Sequence, residues 1–266
     1  MLAMMCCILA SLAIAGCRDA QDPPFIRAGR IYPEEMRLTF SGGFSPSMIE
    51  HPDAGPWFAG GERFGKALFD PASRDGALRV ADDGLIIQPM RIGGVWKSGQ
   101  VQSVDNSGHG FSQTGGYFVM RAELPTGRRS WPAFWLRPAY YRQTPNAAIA
   151  EVDAVETYGH RPFLMDSTLH YWPARDQPGA PLRPHSWQSR KSIHPLMTRG
   201  LHDYGVYIDN RWTIFFYDNR EVGRVRSIPE ERTPMYMIID DALTEGPDAP
   251  DTPPGRMTVR YARAYQ

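Results

Sequence analysis

The sequence predicts an all-β chain that stacks two sheets on one core, and three observations carry that expectation. Ten runs of β-branched and aromatic residues, many alternating with period two, are spread between Gly84 and Tyr265. Helical periodicity is scarce over the same stretch. Turn pairs, Asp209-Asn210 and Asp218-Asn219, separate successive aromatic runs as hairpins require. A meander of this kind leaves an apolar face on each sheet, and pressing the two faces together buries both. A chain of 266 residues with 25 Gly, 24 Pro and 12% aromatic side chains is long enough for one sizeable core.

The amino-terminal residues read as a processing signal. Leu2 to Ala15 is an apolar run too short for a comfortable membrane span, and it ends in small residues. Ile14-Ala15-Gly16-Cys17 resembles a bacterial lipobox, in which residues 1–16 are removed and Cys17 becomes the lipidated first residue. The opening MLAMM carries no Lys or Arg, so an ordinary secretory signal is the rival reading. Cysteine arithmetic favours the lipid: Cys6 and Cys7 leave with the signal, and Cys17 remains without a disulfide partner in an oxidising compartment. Residues 17–35, with Arg18, Asp19, Asp22, Pro23 and Pro24, then read as a polar tether holding the domain off a membrane. Residues 36–266 remain as a single domain.

Within that domain the β-rich runs fall near Gly84–Gln88, Gly99–Val104, Gly116–Leu124, Ala133–Arg137, Glu151–Tyr158, Ser167–Trp172, Asp203–Ile208, Trp212–Asp218, Met235–Ile239 and Met257–Tyr265. Between them, Arg175–Arg190 and Asp240–Gly255 are rich in Pro with Arg or Asp and read as loops.

The run Glu151-Val152-Asp153-Ala154-Val155-Glu156 is the most informative segment. On a pleated strand Glu151 and Asp153 share a face, and Glu156 joins them only if a β-bulge absorbs one residue. Three crowded carboxylates are what glycoside cleavage needs, because burial and like charge separate their proton affinities into an ionised group and a protonated one. A solvated edge strand or a calcium site would use the same residue types.

Other chemistries find no anchor. The chain has no Gly-x-Ser-x-Gly elbow, no Cys-x-x-Cys, no His-Glu-x-x-His and no Walker loop. Formal net charge is +0, and Arg128-Arg129 is too small a patch to recommend a nucleic-acid partner. Of seven His, only His170 stands out, since it alternates with Thr168 on the run expected to neighbour the acidic one.

The flanks of the acidic run carry a resemblance. GGYFVMRAELPTGRRSWPAFWLRP (Gly115 to Pro138), STLHYW (Ser167 to Trp172), LHDYGVYIDNRWTIFFYDNREVGRV (Leu201 to Val225) and the closing MTVRYARAYQ, taken in this order, resemble glycoside hydrolase family 16. The likeness runs from about Leu78 to the end. It implies a concanavalin-like jelly roll with a concave cleft, and a retaining endo-β-glycanase acting on a β-glucan or a bacterial exopolysaccharide. It also implies roles: Glu151 as nucleophile, Glu156 as acid and then base, and Asp153 between them tuning both. Trp131 and Trp135 lead as sugar platforms, with His170 and Trp96 as further substrate contacts and Trp172 and Trp187 behind them. Core packing is the alternative for each Trp. No cofactor, no metal and no nucleic acid is expected, and the chain should act as a monomer held to a membrane by its lipid. Transglycosylation on the same intermediate, or a lectin-like module that binds without turnover, are the rival functions.

Two departures bear on substrate. Many β-1,3-glucan-cutting members carry Gly-Gly-x-Trp after the run matching Met235–Ile239, whereas this chain continues DDALTEGPDAPDTPPG. The closing strand has Arg260 where members with a convex-side calcium carry an Asp. With charged loops at the expected rim, these point to a branched or acidic exopolysaccharide over linear β-1,3-glucan.

Overall fold

Alternation along Tyr117–Ala122 builds the architecture. Phe118, Met120 and Ala122 turn into the main core, while Tyr117 and Val119 turn to a second cluster on the opposite face. A computed structural model describes residues 22–45, 55–60, 64–81, 84–175, 184–192, 199–244 and 254–266. The signal, Cys17 and the first part of the tether lie outside the described residues, as do 176–183 and 245–253 of the two Pro-rich stretches.

In chain order the strands begin with β1 (Ile26–Arg27), β2 (Arg30–Ile31), β3 (Leu38–Gly42), β4 (Phe58–Ala59), β5 (Leu68–Phe69), β6 (Leu78–Ala81) and β7 (Gly84–Ile87). There follow β8 (Met90–Ile92), β9 (Val95–Ser98), β10 (Gln100–Gln102), β11 (Gln113–Thr114), β12 (Gly116–Glu123) and β13 (Pro132–Pro138). The rest are β14 (Ile149–Thr157), β15 (Leu164–Trp172), β16 (His185–Ser192), β17 (His202–Ile208), β18 (Trp212–Tyr217), β19 (Arg220–Arg226), β20 (Pro234–Asp241) and β21 (Met257–Tyr265).

A ten-stranded antiparallel sheet runs β1-β2-β19-β18-β17-β12-β21-β7-β6, with β3 also on β21. An eight-stranded antiparallel sheet runs β16-β15-β14-β13-β20-β10-β4, with β11 on β20. Between them Phe134, Leu136, Val152, Met237 and Ile239 of the second sheet meet Phe118, Met120, Val206, Phe215 and Val259 of the first. This is the expected all-β sandwich of jelly-roll type. The hairpin at Asp218-Asn219 holds both residues at positive φ, 45° and 61°, a conformation that Asp and Asn tolerate in tight turns.

Three expectations are corrected. The described part of the tether is docked: Ile26 and Ile31 are buried on the outer face of the ten-stranded sheet beside Tyr117 and Phe216. Burying each contributes about 2 kcal/mol, and Asp22 pairs with Arg224 at 2.9 Å. Second, residues 185–192 are a strand where a loop was expected. HSWQSRKS has no apolar alternation to announce it; β16 is an edge strand held by its ladder to β15, by Trp187 stacked on Phe215, and by Arg190 on the buried Asp166 at 2.7 Å. Third, β5, β9 and β8 form a small third sheet that the sequence did not foretell.

Candidate active site

The bulge that the acidic run requires is present. Against β13, Glu156 pairs with Ala133 and Val155 with Phe134, then the register slips so that Asp153 faces Trp135. Ala154 and Val155 both enter the core, and the slip returns Glu156 to the side of Glu151 and Asp153. All three carboxyls line one cavity of about 270 Å³ on the outer face of the eight-stranded sheet, with Phe64, Trp131, Trp135, Arg137 and Trp172.

The two ends of this acidic row have different surroundings. Glu151 Oε2 accepts from Arg137 Nε at 3.0 Å and Nη2 at 2.8 Å. Among the described residues no basic side chain bonds Glu156. Its Oε1 accepts from the Trp131 indole at 2.9 Å and the Tyr158 hydroxyl at 3.1 Å. Burial first, and then the charge of Asp153, push its carboxyl up to about 7, against the hydrogen bonds that pull it down. Asp153, buried between them, is likewise raised by desolvation and by Glu151, with His170 opposing. On the neighbouring strand His170 pairs with Glu151 in register and brings Nε2 to 3.2 Å from Asp153 Oδ2, with Nδ1 2.5 Å from Ser186 Oγ. Burial works against the imidazolium, but Asp153 and the two Glu outweigh it, and the His170 pKa is raised.

The expected residues do not all converge. Trp131, Trp135 and Trp172 line the cavity, and Trp131 stacks on Tyr158 at 5.5 Å. Trp135 is largely buried and donates to Asp240 at 2.7 Å, so it serves packing and wall together. Trp96 is not brought in: it sits on β9 of the small sheet, flanked by the guanidinium groups of Arg91 and Arg129. Trp187 packs in the core against Phe215.

Sequence reasoning missed several groups. Arg137 lies two residues from Trp135 on the same strand, so period two alone placed it on the cleft face; Tyr158 stands in the same relation to Glu156. Asp240 and Asp241 are fully buried behind the cavity, where Asp240 receives Trp135 Nε1 and Asp241 receives the Trp131 backbone N–H at 2.7 Å. Burial raises both, Asp241 to about 7 against the pull of that N–H. An acidic pair ending the apolar run MYMII was the signal for them. The loop carrying Trp131 is seated by Gly159, whose N–H donates to Ser130 O at 2.8 Å and whose Cβ position lies 1.6 Å from Gly127 O, so any side chain there collides with backbone.

Glu151, Asp153 and His170 are also the set that could hold a metal among the described residues, with ligand atoms all within 4.8 Å. Arg137 already supplies positive charge there through its pair with Glu151. A larger groove of about 440 Å³ lies by Phe25, Met36 and Tyr207, but its acids are turned inward. Glu231 accepts from Thr213 and Ile228, and Asp209 from the Arg211 and Trp212 backbone.

Comparison with known proteins gives sequence and fold likeness. No family model matches the chain. It is 30% identical over 158 residues to the endo-1,3-1,4-beta-glycanase EglC of Rhizobium meliloti (strain 1021), covering 58% of this chain and 31% of that protein. It is 26% identical over 237 residues to a keratan-sulfate endo-1,4-beta-galactosidase of Sphingobacterium multivorum, covering 85% of this chain and 53% of that protein. The chain spans about a third of the length of the first curated relatives it matches. In structure it is similar to SCLam, a non-specific endo-beta-1,3(4)-glucanase from family GH16, at a TM-score of 0.68 and 19% identity over 89% of this chain and 94% of that one. That likeness gives the fold alone, a β-sandwich of two stacked antiparallel sheets.

Proposed function

We propose that the chain is a retaining endo-β-glycanase that hydrolyses internal β-glycosidic bonds of a polysaccharide. The observation that carries this reading is the bulged strand that sets Glu151 and Glu156 on one wall of an open cleft, the first against a guanidinium and the second buried and raised. In the first step Glu151 attacks the anomeric carbon, the bond to the leaving oxygen breaks, and Glu156 gives that oxygen its proton. In the second, Glu156 takes a proton from water, whose oxygen displaces Glu151 and restores the β configuration. Asp153 raises the proton affinity of Glu156 through its charge, and the His170–Ser186 pair holds Asp153 in place.

Endo-acting cleavage of β-linked glycans is what the names of the relatives share, while one names a glucan and another a galactosidase. The reading therefore extends to bond type and not to one monosaccharide. Incubation with β-glucans, galactans and bacterial exopolysaccharides, followed by product masses and proton NMR, tests it. Oligosaccharides whose first-formed anomer is β are expected; an initial α anomer would sink the double displacement.

The LAIAGC motif supports a second part of the proposal, that Cys17 carries lipid and holds a monomeric enzyme outside the cytoplasm on a bacterial membrane. Palmitate labelling and fractionation of Cys17→Ser test it. A wild type that is soluble and unlabelled would mark an ordinary secreted protein.

A further inference from the structure

A smaller cavity of about 90 Å³ opens beside the acid pair. Arg137 and Trp172 line both it and the cleft, so the two are adjoining compartments with a common wall. Arg137, Arg175, Tyr141 and Trp172 surround the small one, and none of its lining residues is acidic. Arg137 is fixed in place: its guanidinium lies 4.8 Å from the Trp135 ring and 5.0 Å from the Tyr141 ring while it holds Glu151. That pair is neutral as a unit. Arg175 is exposed and meets no acidic partner among the described residues, and its backbone N–H bonds Asn146 O at 2.9 Å. Arg175 thus brings a positive charge that no described acidic side chain pairs to a compartment whose aromatic rings suit the C–H edge of a sugar.

The compartment is too small for a whole pyranose ring and the right size for a substituent with the edge of the ring that bears it. A guanidinium binds a carboxylate or a sulfate through paired N–H donors, and does so more strongly where water is partly excluded. We propose that the cavity between Arg137, Tyr141, Trp172 and Arg175 is a subsite for a sugar bearing an anionic substituent, a carboxylate or a sulfate ester, adjoining the bond that is cut. The proposal rests on the glycanase reading of the neighbouring acids. It makes the positive wall of the cleft a determinant of specificity: a neutral glucan fills the same space with nothing to meet Arg175.

Calorimetric titration separates this from the catalytic reading. Glu156→Gln protein is titrated with a β-linked glucose tetrasaccharide carrying one glucuronate, with its carboxyl-reduced counterpart, and with a 6-sulfated analogue. The charged ligands are expected to bind about tenfold tighter than the neutral one, and the gap should narrow as salt rises from about 50 mM to about 500 mM. Adding Arg175→Gln should bring the ratio to about twofold or less, and Arg175→Lys should restore most of it. Which charged ligand binds tighter identifies the substituent. Equal affinity for charged and neutral ligands, no binding of the charged ones, or a preference that survives Arg175→Gln in a normally melting protein overturns the subsite. Charge-selective binding by a wild type that cuts no polymer would keep the subsite and remove the glycanase reading; turnover without charge preference would do the reverse.

Discussion

The two sheets of the sandwich differ in their buried carboxyls: opposite charges pair on both, as Arg137 with Glu151 and Arg190 with Asp166 do on the eight-stranded sheet, but among the described residues only that sheet also gathers crowded acids. On the ten-stranded sheet, opposite charges meet: Arg224 with Asp22 and Glu221, and Arg121 with Asp203 at 2.9 Å. On the eight-stranded sheet, Asp153 and Glu156 are buried near one another, and Asp240 and Asp241 lie behind them, with burial raising all four. One face is arranged for stability. The other keeps carboxyls where a proton binds unusually well, which is a poor way to hold a fold together and a good way to deliver a proton to a leaving oxygen.

The largest expected effect tests the catalytic side. Glu151→Gln or Glu151→Ala should lower turnover on a polysaccharide by roughly four orders of magnitude with the far-UV spectrum unchanged. Near wild-type turnover would remove the acid row from the chemistry and leave the two faces different only in composition.

Glu156→Gln comes next and tests both halves of the comparison. Hydrolysis of substrates with poor leaving groups should fall about 100-fold or more, with recovery on an activated aryl glycoside or with azide. Stability should move the other way. The Glu156 carboxyl is raised from 4.5 to about 7, so between those values the folded chain holds more protons than the unfolded one. Stability is then fully present below about pH 4.5 and lost as pH rises through about 7. Gln removes that slope, giving on the order of 3 kcal/mol in favour of the variant at pH 8. Melting curves from pH 5 to pH 9 measure it. A variant less stable than wild type at pH 8 would mean that the acid row stabilises the fold.

The sequence revealed one of these faces better than the other. The strand Pro132–Pro138 is a continuous apolar run, and the spacing Glu-x-Asp-x-x-Glu on its neighbour itself demanded the bulge that Ala154 and Val155 form. The far face was illegible because its cover comes from residues 22–36, whose prolines and charges resemble a linker until Ile26 and Ile31 find the sheet. Arg190 hid for the same reason: its partner Asp166 is buried on another strand, and pairing of that kind leaves no local pattern. Trp96 was expected in the cleft because a tryptophan between a valine and a lysine reads the same on a cleft wall as on a small side sheet.

Asp241 allows a finer test of the same contrast. Its Oδ1 holds the Trp131 backbone N–H, and burial raises the carboxyl to about 7 against the pull of that N–H, the Ser130 side chain and the Leu243 backbone. Asn reproduces the protonated acid, so Asp241→Asn should keep activity within about threefold and gain stability above pH 7, where the native carboxyl must ionise. Asp241→Leu leaves the Trp131 N–H unpaired, at a cost of about 1 to 3 kcal/mol. It should also lower kcat about tenfold, because Trp131 carries the hydrogen bond to Glu156. If Asn and Leu behaved alike, Asp241 would be filling space and not positioning the acid.

The smallest effect is expected on the opposite face. Arg224 bonds Asp22 at 2.9 and 3.2 Å and Glu221 at 2.6 and 2.7 Å, with about a quarter of its side chain exposed. Partial exposure screens these pairs, so Arg224→Ala should lower stability by about 1 kcal/mol or less, a shift of roughly 2 to 4 °C in Tm, and less at high salt. Activity should stay within about twofold, since the ten-stranded sheet and the shared core separate Arg224 from the cleft. A cycle of Arg224→Ala with Asp22→Ala isolates the share owed to the docked amino-terminal segment; a coupling near zero would assign the loss to Glu221 alone. Because removing a charge on this face is expected to weaken the fold while removing Glu156 above pH 7 strengthens it, the sign of the stability change distinguishes the faces more sharply than its size. A loss of turnover in Arg224→Ala comparable to that in Asp241→Leu would show that the far sheet transmits to the cleft, and the two faces could no longer be treated as independent.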